Sequence, residues 1–131
     1  MAFQQQPLDV MAILDLGLRF MGANDRERDT KLTTRITRFR TFYGSHPLVY
    51  SKIWDDLWFY QVDDERKIGY FFLCLHFLKE YDKESVLGLK FHRDEETVRD
   101  WCWYYAECIQ MLKTIKVSQN PNYLICAAHI Y

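Results

Sequence analysis

The chain has little that breaks structure and little that marks secretion or membrane passage. Five glycines and three prolines in 131 residues leave few obligatory turns. That favours helices over the turn-rich text of an all-β domain. No apolar run approaches the roughly 20 residues of a membrane span. The opening, MAFQQQPLDVMAILDLGLRF, lacks a basic start and a small-residue cleavage site, so no signal peptide is expected. Cys74, Cys102, Cys108 and Cys126 follow no regular framework and sit in apolar text. They read as reduced thiols of an intracellular protein. An excess of one charge is missing too. The formal net charge is -1 and the pI about 6.4, whereas a dedicated DNA-binding domain is usually strongly basic.

What is present is apolar and aromatic. The chain is 49% hydrophobic and 17% aromatic, enough to bury one sizeable core but not two. The patterning predicts an all-α fold, a compact bundle of about five helices. A Gln run and Pro7 open a loosely ordered segment, 1-30, with one short apolar helix over 10-20. Gly22 ends that helix and a charged loop follows. Thr33 or Thr34 is expected to cap the next helix, with Ile36, Phe39, Phe42 and Tyr43 at three- and four-residue steps. Gly44 stops it, where a left-handed residue is needed. Ser45 should start a third helix, with Pro47 in its first turn. That helix runs to about Tyr60 and should bury Val49, Ile53, Trp54, Leu57 and Trp58. Residues 68-81, IGYFFLCLHFLKEY, are apolar almost all round and should form the central helix.

Residues 83-115 read as a helix-turn-helix. Leu87, Phe91, Val98 and Trp101 fall where such a unit locks its helices together, and Gly88 where a small residue permits close approach. Asp94 is a good N-cap for the amide of Thr97 or its neighbour. The second helix carries a seam of Val98, Trp101, Tyr105, Cys108, Leu112 and Ile115. Helix-turn-helix units read bases from the N-terminal end of their second helix. Beyond Lys116 a turn at Asn120-Pro121 leads to a β-like run over 123-126 with no partner strand in the chain. The helical domain is thus placed at 31-117 and an unpaired tail at 118-131.

Charge is segregated. From 31 to 52 the basic residues Lys31, Arg35, Arg38, Arg40 and Lys52 occur with no acid among them. Lys90, His92 and Arg93 form a second group and Lys113 and Lys116 a third. The first group is either a phosphate footprint or a solvated helix face. Arg99 and Trp103, four apart and off the seam, suit a contact surface for DNA or a protein partner. Glu95 and Glu96 weaken a phosphate reading there, although acids also favour a helix N-terminus through its dipole. Asp55-Asp56 and Asp63-Asp64-Glu65 read as solvated acids. Cys102 and Cys108 lie six apart on a helix, so their side chains point about 120° apart. Such thiols do not converge on tetrahedral zinc with Cys126, His129 or His92. Cys74 and His76 face away from each other, which is poor geometry for a thiolate-imidazole pair. No cofactor, metal site or catalytic residue is expected.

The order of these pieces resembles the N-terminal region of Harbinger-like DDE transposases. RFRTFYGSHPLVYSKIWDDLW carries that family's Arg-Phe-x-x-Phe-[Phe/Tyr]-Gly segment and Trp-bearing helix. LHFLKEYDKESV carries its Leu-x-Phe-Leu-Lys-x-Tyr helix, and ETVRDWCWYYAECIQMLKTIKV its Thr-Val-Arg-x-Trp helix. The match covers about residues 35-117. The resemblance implies a region that binds transposon DNA, ahead of an RNase-H-like domain that holds divalent metal on three carboxylates. NPNYLICAAHIY resembles the start of that domain, but the first catalytic aspartate falls on Ala128 or a neighbour that is not acidic. No Asp or Glu occurs after Glu107, so 118-131 reads as the truncated start of a lost catalytic domain. The expectation is nuclear, non-catalytic binding of duplex DNA. Arg35, Arg38 and Arg40 would hold phosphate, Lys90 and Arg93 would flank the groove, and Thr97, Arg99 and Trp103 would lie nearest the bases. The alternative is a helical protein-interaction module or a relic that folds but binds nothing.

Overall fold

A computed structural model describes residues 9-22 and 31-119. Six helices account for most of them: α1 (Val10–Phe20), α2 (Leu32–Tyr43), α3 (Pro47–Phe59), α4 (Ile68–Glu80), α5 (Glu84–Phe91) and α6 (Glu95–Gln119). No strand occurs among the described residues. The β-like run lies outside them.

Local chemistry sets the helix ends. Asp9 accepts from the Ala12 amide at 2.7 Å and starts α1. Sequence placed the cap of α2 at Thr33 or Thr34, but Lys31 takes that position without a side-chain bond. The Thr33 carbonyl instead accepts from the Thr37 hydroxyl inside the helix. Gly44 ends α2 at φ 100, a backbone region costly for any residue with a Cβ. The cap of α3 is His46 rather than Ser45. Its Nδ1 accepts from the Leu48 amide at 3.0 Å, and Pro47 fills the first turn, where a missing N–H costs nothing.

α4 is the central element. Six consecutive residues, Phe71, Phe72, Leu73, Cys74, Leu75 and His76, are buried. Its most extensive packing is on α6, and it also touches α1, α2 and α5. The sequence reading left α1 in a loose segment ahead of the domain. In the structure Ile13, Leu14 and Leu18 belong to the main core with Phe39, Tyr43, Trp54, Leu57, Phe72 and Tyr105. An apolar stripe gains stability by leaving water, about 1.5–3 kcal/mol per large side chain, so a nearby core recruits it. In α3, Ile53, Trp54 and Leu57 are buried as expected, with Tyr50 and Ser51. Val49 and Trp58 are half-buried instead.

A second cluster, Leu73, Leu87, Phe91, Val98 and Cys102, ties α5 to α6 and α4. Here the expected seam is rotated slightly. Cys102 takes the inner position, and Trp101 is half-buried, stacked on Tyr70 at 4.8 Å and 9°.

Candidate nucleic-acid interface

α5 and α6 are joined by the short turn 92-94. His92 ends α5 in the left-handed region at φ 57, and the Arg93 amide donates to the Gly88 carbonyl at 2.9 Å. A Cβ on Gly88 would lie 2.4 Å from the Arg93 carbonyl oxygen. Gly88 therefore admits the turn's own backbone, rather than the facing helix. Asp94 then caps α6. One carboxylate oxygen accepts from the Thr97 amide at 3.1 Å and the other from the Thr97 hydroxyl at 2.6 Å. These bonds hold the Asp94 carboxyl below its ordinary range. Thr97 is half-buried in this cap, so its hydroxyl is committed locally.

The expected contact residues differ in exposure. Arg93, Arg99 and Trp103 are exposed on the turn and the first turns of α6, with Glu95 and Glu96 beside them. Arg93 donates to the His92 carbonyl and lies 5.7 Å from the Tyr70 ring. Arg38 and Arg40 are exposed on α2. Arg35 is different. Its guanidinium is paired with Asp15 of α1, and its side chain is mostly covered. Lys90 is likewise engaged, 2.6 Å from Asp82 and 2.9 Å from His76 Nε2. In the third basic group, Lys116 pairs with Asp56 at 3.0 Å and lies over the Tyr60 ring. The α2 arginines and the α5–α6 turn are thus not joined by Arg35 and Lys90, since both of those cations are turned to carboxylates. The two regions meet through the Phe42 and Phe91 rings, 6.2 Å apart, and through His76, which lies 2.9 Å from both the Phe42 carbonyl oxygen and Lys90 Nζ.

Sequence reasoning missed a buried polar network behind α6. Asp63, expected to be solvated, is 1% exposed. One oxygen accepts from the Glu65 and Arg66 amides, and from the Tyr104 hydroxyl at 2.8 Å. Arg66 donates to the Trp54 carbonyl and its guanidinium sits 3.8 Å above the Trp54 ring. Burial lowers the Arg66 pKa, which the Asp63 charge opposes. The Tyr105 hydroxyl accepts from the Lys67 amide at 2.7 Å. Burial, chiefly, raises both tyrosines well above the usual phenol range. The network fixes the α3–α4 connector against α6 and so sets how α6 is presented. The one sequence signal for it was Tyr105 on the seam with Tyr104 beside it, since a tyrosine hydroxyl needs a polar partner when buried.

Among the described residues no three His, Cys, Asp or Glu side chains gather as metal ligands would, and no helix is long and apolar enough to cross a membrane. A cleft of about 460 Å³ lies between the α2–α3 turn, α4 and α6, floored by Ile53, Leu75 and Ile109 and rimmed by Lys79 and Lys113. Comparison with known proteins finds no family, no curated protein and no solved structure that matches this chain.

Proposed function

We propose that this domain binds duplex DNA as the N-terminal region of a Harbinger-like transposase, in the nucleus and without catalysis of its own. The observation that carries this reading is the α5–turn–α6 pair. Its short turn is fixed by Gly88 and Asp94, and Val98 packs into the small apolar cluster while Glu95 and Glu96 at the start of α6 stay exposed. Arg93, Arg99 and Trp103 are exposed there. A helix presented this way suits a major groove, with its N-terminal residues nearest the base edges.

Arg35 and Lys90 have carboxylate partners, and the phosphate contacts are assigned to Arg38, Arg40 and Arg93 because these side chains are exposed. About three phosphate contacts give a log-log salt slope near -2.7. Titration of labelled duplex at about 50 mM and at about 200 mM salt tests this. Arg40→Ala should weaken all sequences alike, and Arg99→Ala only some. No binding even at the lower salt removes the proposal.

One observation favours a second reading, a helical protein-interaction module. On α5, Leu89 is 79% exposed, with Val86 beside it, and a large apolar side chain left in water on a short helix suits a protein surface. A chain that ignores DNA, and whose Leu89→Asp variant melts like the wild type, fits this alternative.

A further inference from the structure

The cleft between the α2–α3 turn, α4 and α6 has no part in the DNA reading. Its floor of Ile53, Leu75 and Ile109 is buried and apolar. Its volume of about 460 Å³ lies within the range of small-ligand sites, which are mostly apolar with a few placed polar groups. The Tyr50 hydroxyl, which also lines it, is committed to the Tyr43 carbonyl at 2.5 Å. The remaining polar groups are Ser45, Gln110 and the two cations Lys79 and Lys113, and no Asp or Glu is among the lining residues.

The two lysines differ from the other engaged cations. Arg35, Lys90 and Lys116 each have a carboxylate partner, but among the described residues Lys79 and Lys113 have none. Gly44 lets Lys79 reach the cleft. A Cβ on Gly44 would lie 3.3 Å from Lys79 Cδ and 3.7 Å from Lys79 Cβ, so the lysine stem runs over the bare glycine. Lys113 reaches the cleft from α6 and is half-buried. A lysine stem often covers apolar surface with its charge in water. That habit explains one lysine on an apolar floor, but not a rim with two cations and no acid.

We propose that this cleft binds a small amphipathic carboxylate, with its aliphatic body on Ile53, Leu75 and Ile109 and its head group paired with Lys79 and Lys113. The floor selects the body, because apolar surface leaving water is the favourable term. The rim selects the sign of the head group, because an anion offsets two like charges that share one cleft. A carboxylate suits the place better than a phosphate dianion, since a single charge costs less to strip of water beside apolar surface. The inference is independent of the DNA reading. The cleft takes its α6 residues from Ala106 onward, whereas Arg99 and Trp103 precede it.

Probes that share one aliphatic chain test this: decanoate, decanol and decylammonium, each below its micelle concentration. They are titrated into the full chain and followed by methyl NMR. Decanoate should shift the methyl groups of Ile53, Leu75 and Ile109 saturably, and decylammonium should bind more weakly than decanoate. In the Lys79→Gln, Lys113→Gln double variant, decanoate should bind roughly two- to thirtyfold more weakly, the worth of two exposed ion pairs, while decanol changes by less than about twofold. A thermal melt confirms that the variant is folded, and should it not fold, the wild-type preference for decanoate over decylammonium decides. Three results overturn the proposal: no saturable binding of decanoate, shifts centred on Leu89 or Trp103 instead of the cleft, or decylammonium bound as tightly as decanoate. Unchanged decanoate affinity in the folded double variant overturns it as well, by removing the lysines from the site.

Discussion

Single residues decide how the α5–α6 pair is built, and two of them make sharp tests. At Gly88 the obstruction to a side chain is the Arg93 carbonyl, 2.4 Å from where a Cβ would sit. That atom is backbone in a short turn and has little room to give. Gly88→Ala should cost about 1–3 kcal/mol as an overpacking change, measured as a fall in the denaturation midpoint. A neutral Gly88→Ala would mean that the turn is not fixed in this form. The two tryptophans of α6 differ in the same helix. Trp101 is half-buried and stacked on Tyr70, while Trp103 is 59% exposed. Trp101→Ala should cost about 2 kcal/mol, less than the 3–5 of a fully buried aromatic. Trp103→Ala should leave the melt nearly unchanged and weaken binding. The reverse order in thermal melts would put the helix phase in error. Sequence separated these two tryptophans correctly, but it could not show that Cys102 lies deeper than Trp101. The two are one position, 100°, apart on the helix, and a period count cannot decide between neighbours of similar apolar character.

At the scale of elements, the strongest test is the connector between α3 and α4. Its run of acids looks uniform in the sequence, yet the chain sorts them. Asp63 turns inward to two amides and the Tyr104 hydroxyl, while Asp64 and Glu65 stay exposed. Arg66, whose amide is one of the two donors, takes a positive φ of 53. That conformation is a property of the folded connector and is not written in residue type. Asp63→Ala removes the carboxylate that lies 3.8 Å from the mostly covered Arg66 guanidinium, leaving it only the weaker field of Asp55, and takes from the Tyr104 hydroxyl its acceptor at 2.8 Å, leaving Asp64 at 3.5 Å. A broken buried pair typically costs about 3 kcal/mol or more. Tyr104→Phe removes one hydroxyl and should cost about 1 kcal/mol. Denaturant midpoints of the two variants check the ratio. Equal, small effects would show the connector to be unimportant to stability. Helix existence was legible, from apolar text at helical spacing or, for α4, from a run apolar almost all round. Helix starts were not. Lys31 precedes α2 with no capping side chain, and His46 does for α3 what Ser45 was expected to do.

For the whole molecule, sequence gave the sign and position of every charge but not its partner. Arg35 was expected to hold phosphate and Lys90 to flank the groove, and Asp15 and Asp82 lie far enough away in sequence, or across a turn, that their claim on those cations appears only on folding. The division of the core is also a property of the assembled molecule, and it predicts how the molecule opens. Cys74 and Cys108 belong to the main cluster, whereas Cys102 belongs to the smaller one with Leu87, Phe91 and Val98. Burial raises the Cys74 thiol well above its ordinary range and pushes Cys108 up to about 11. A native thiol of this kind reacts only after the protein around it opens. α5 has eight residues, well short of the roughly 12–15 at which an isolated helix becomes even marginally stable. It depends on its contacts with α6 and α4, and the smaller cluster should open at lower free energy than the main core. With a thiol reagent at pH 8 under native conditions, Cys102 should therefore label before Cys74 and Cys108, which should share one slower rate set by global unfolding. Mass mapping of the labelled peptides over time gives the order. A single common rate for all three would show that α5 does not detach on its own, and Cys74 reacting first would place the weak point in the wrong half of the core.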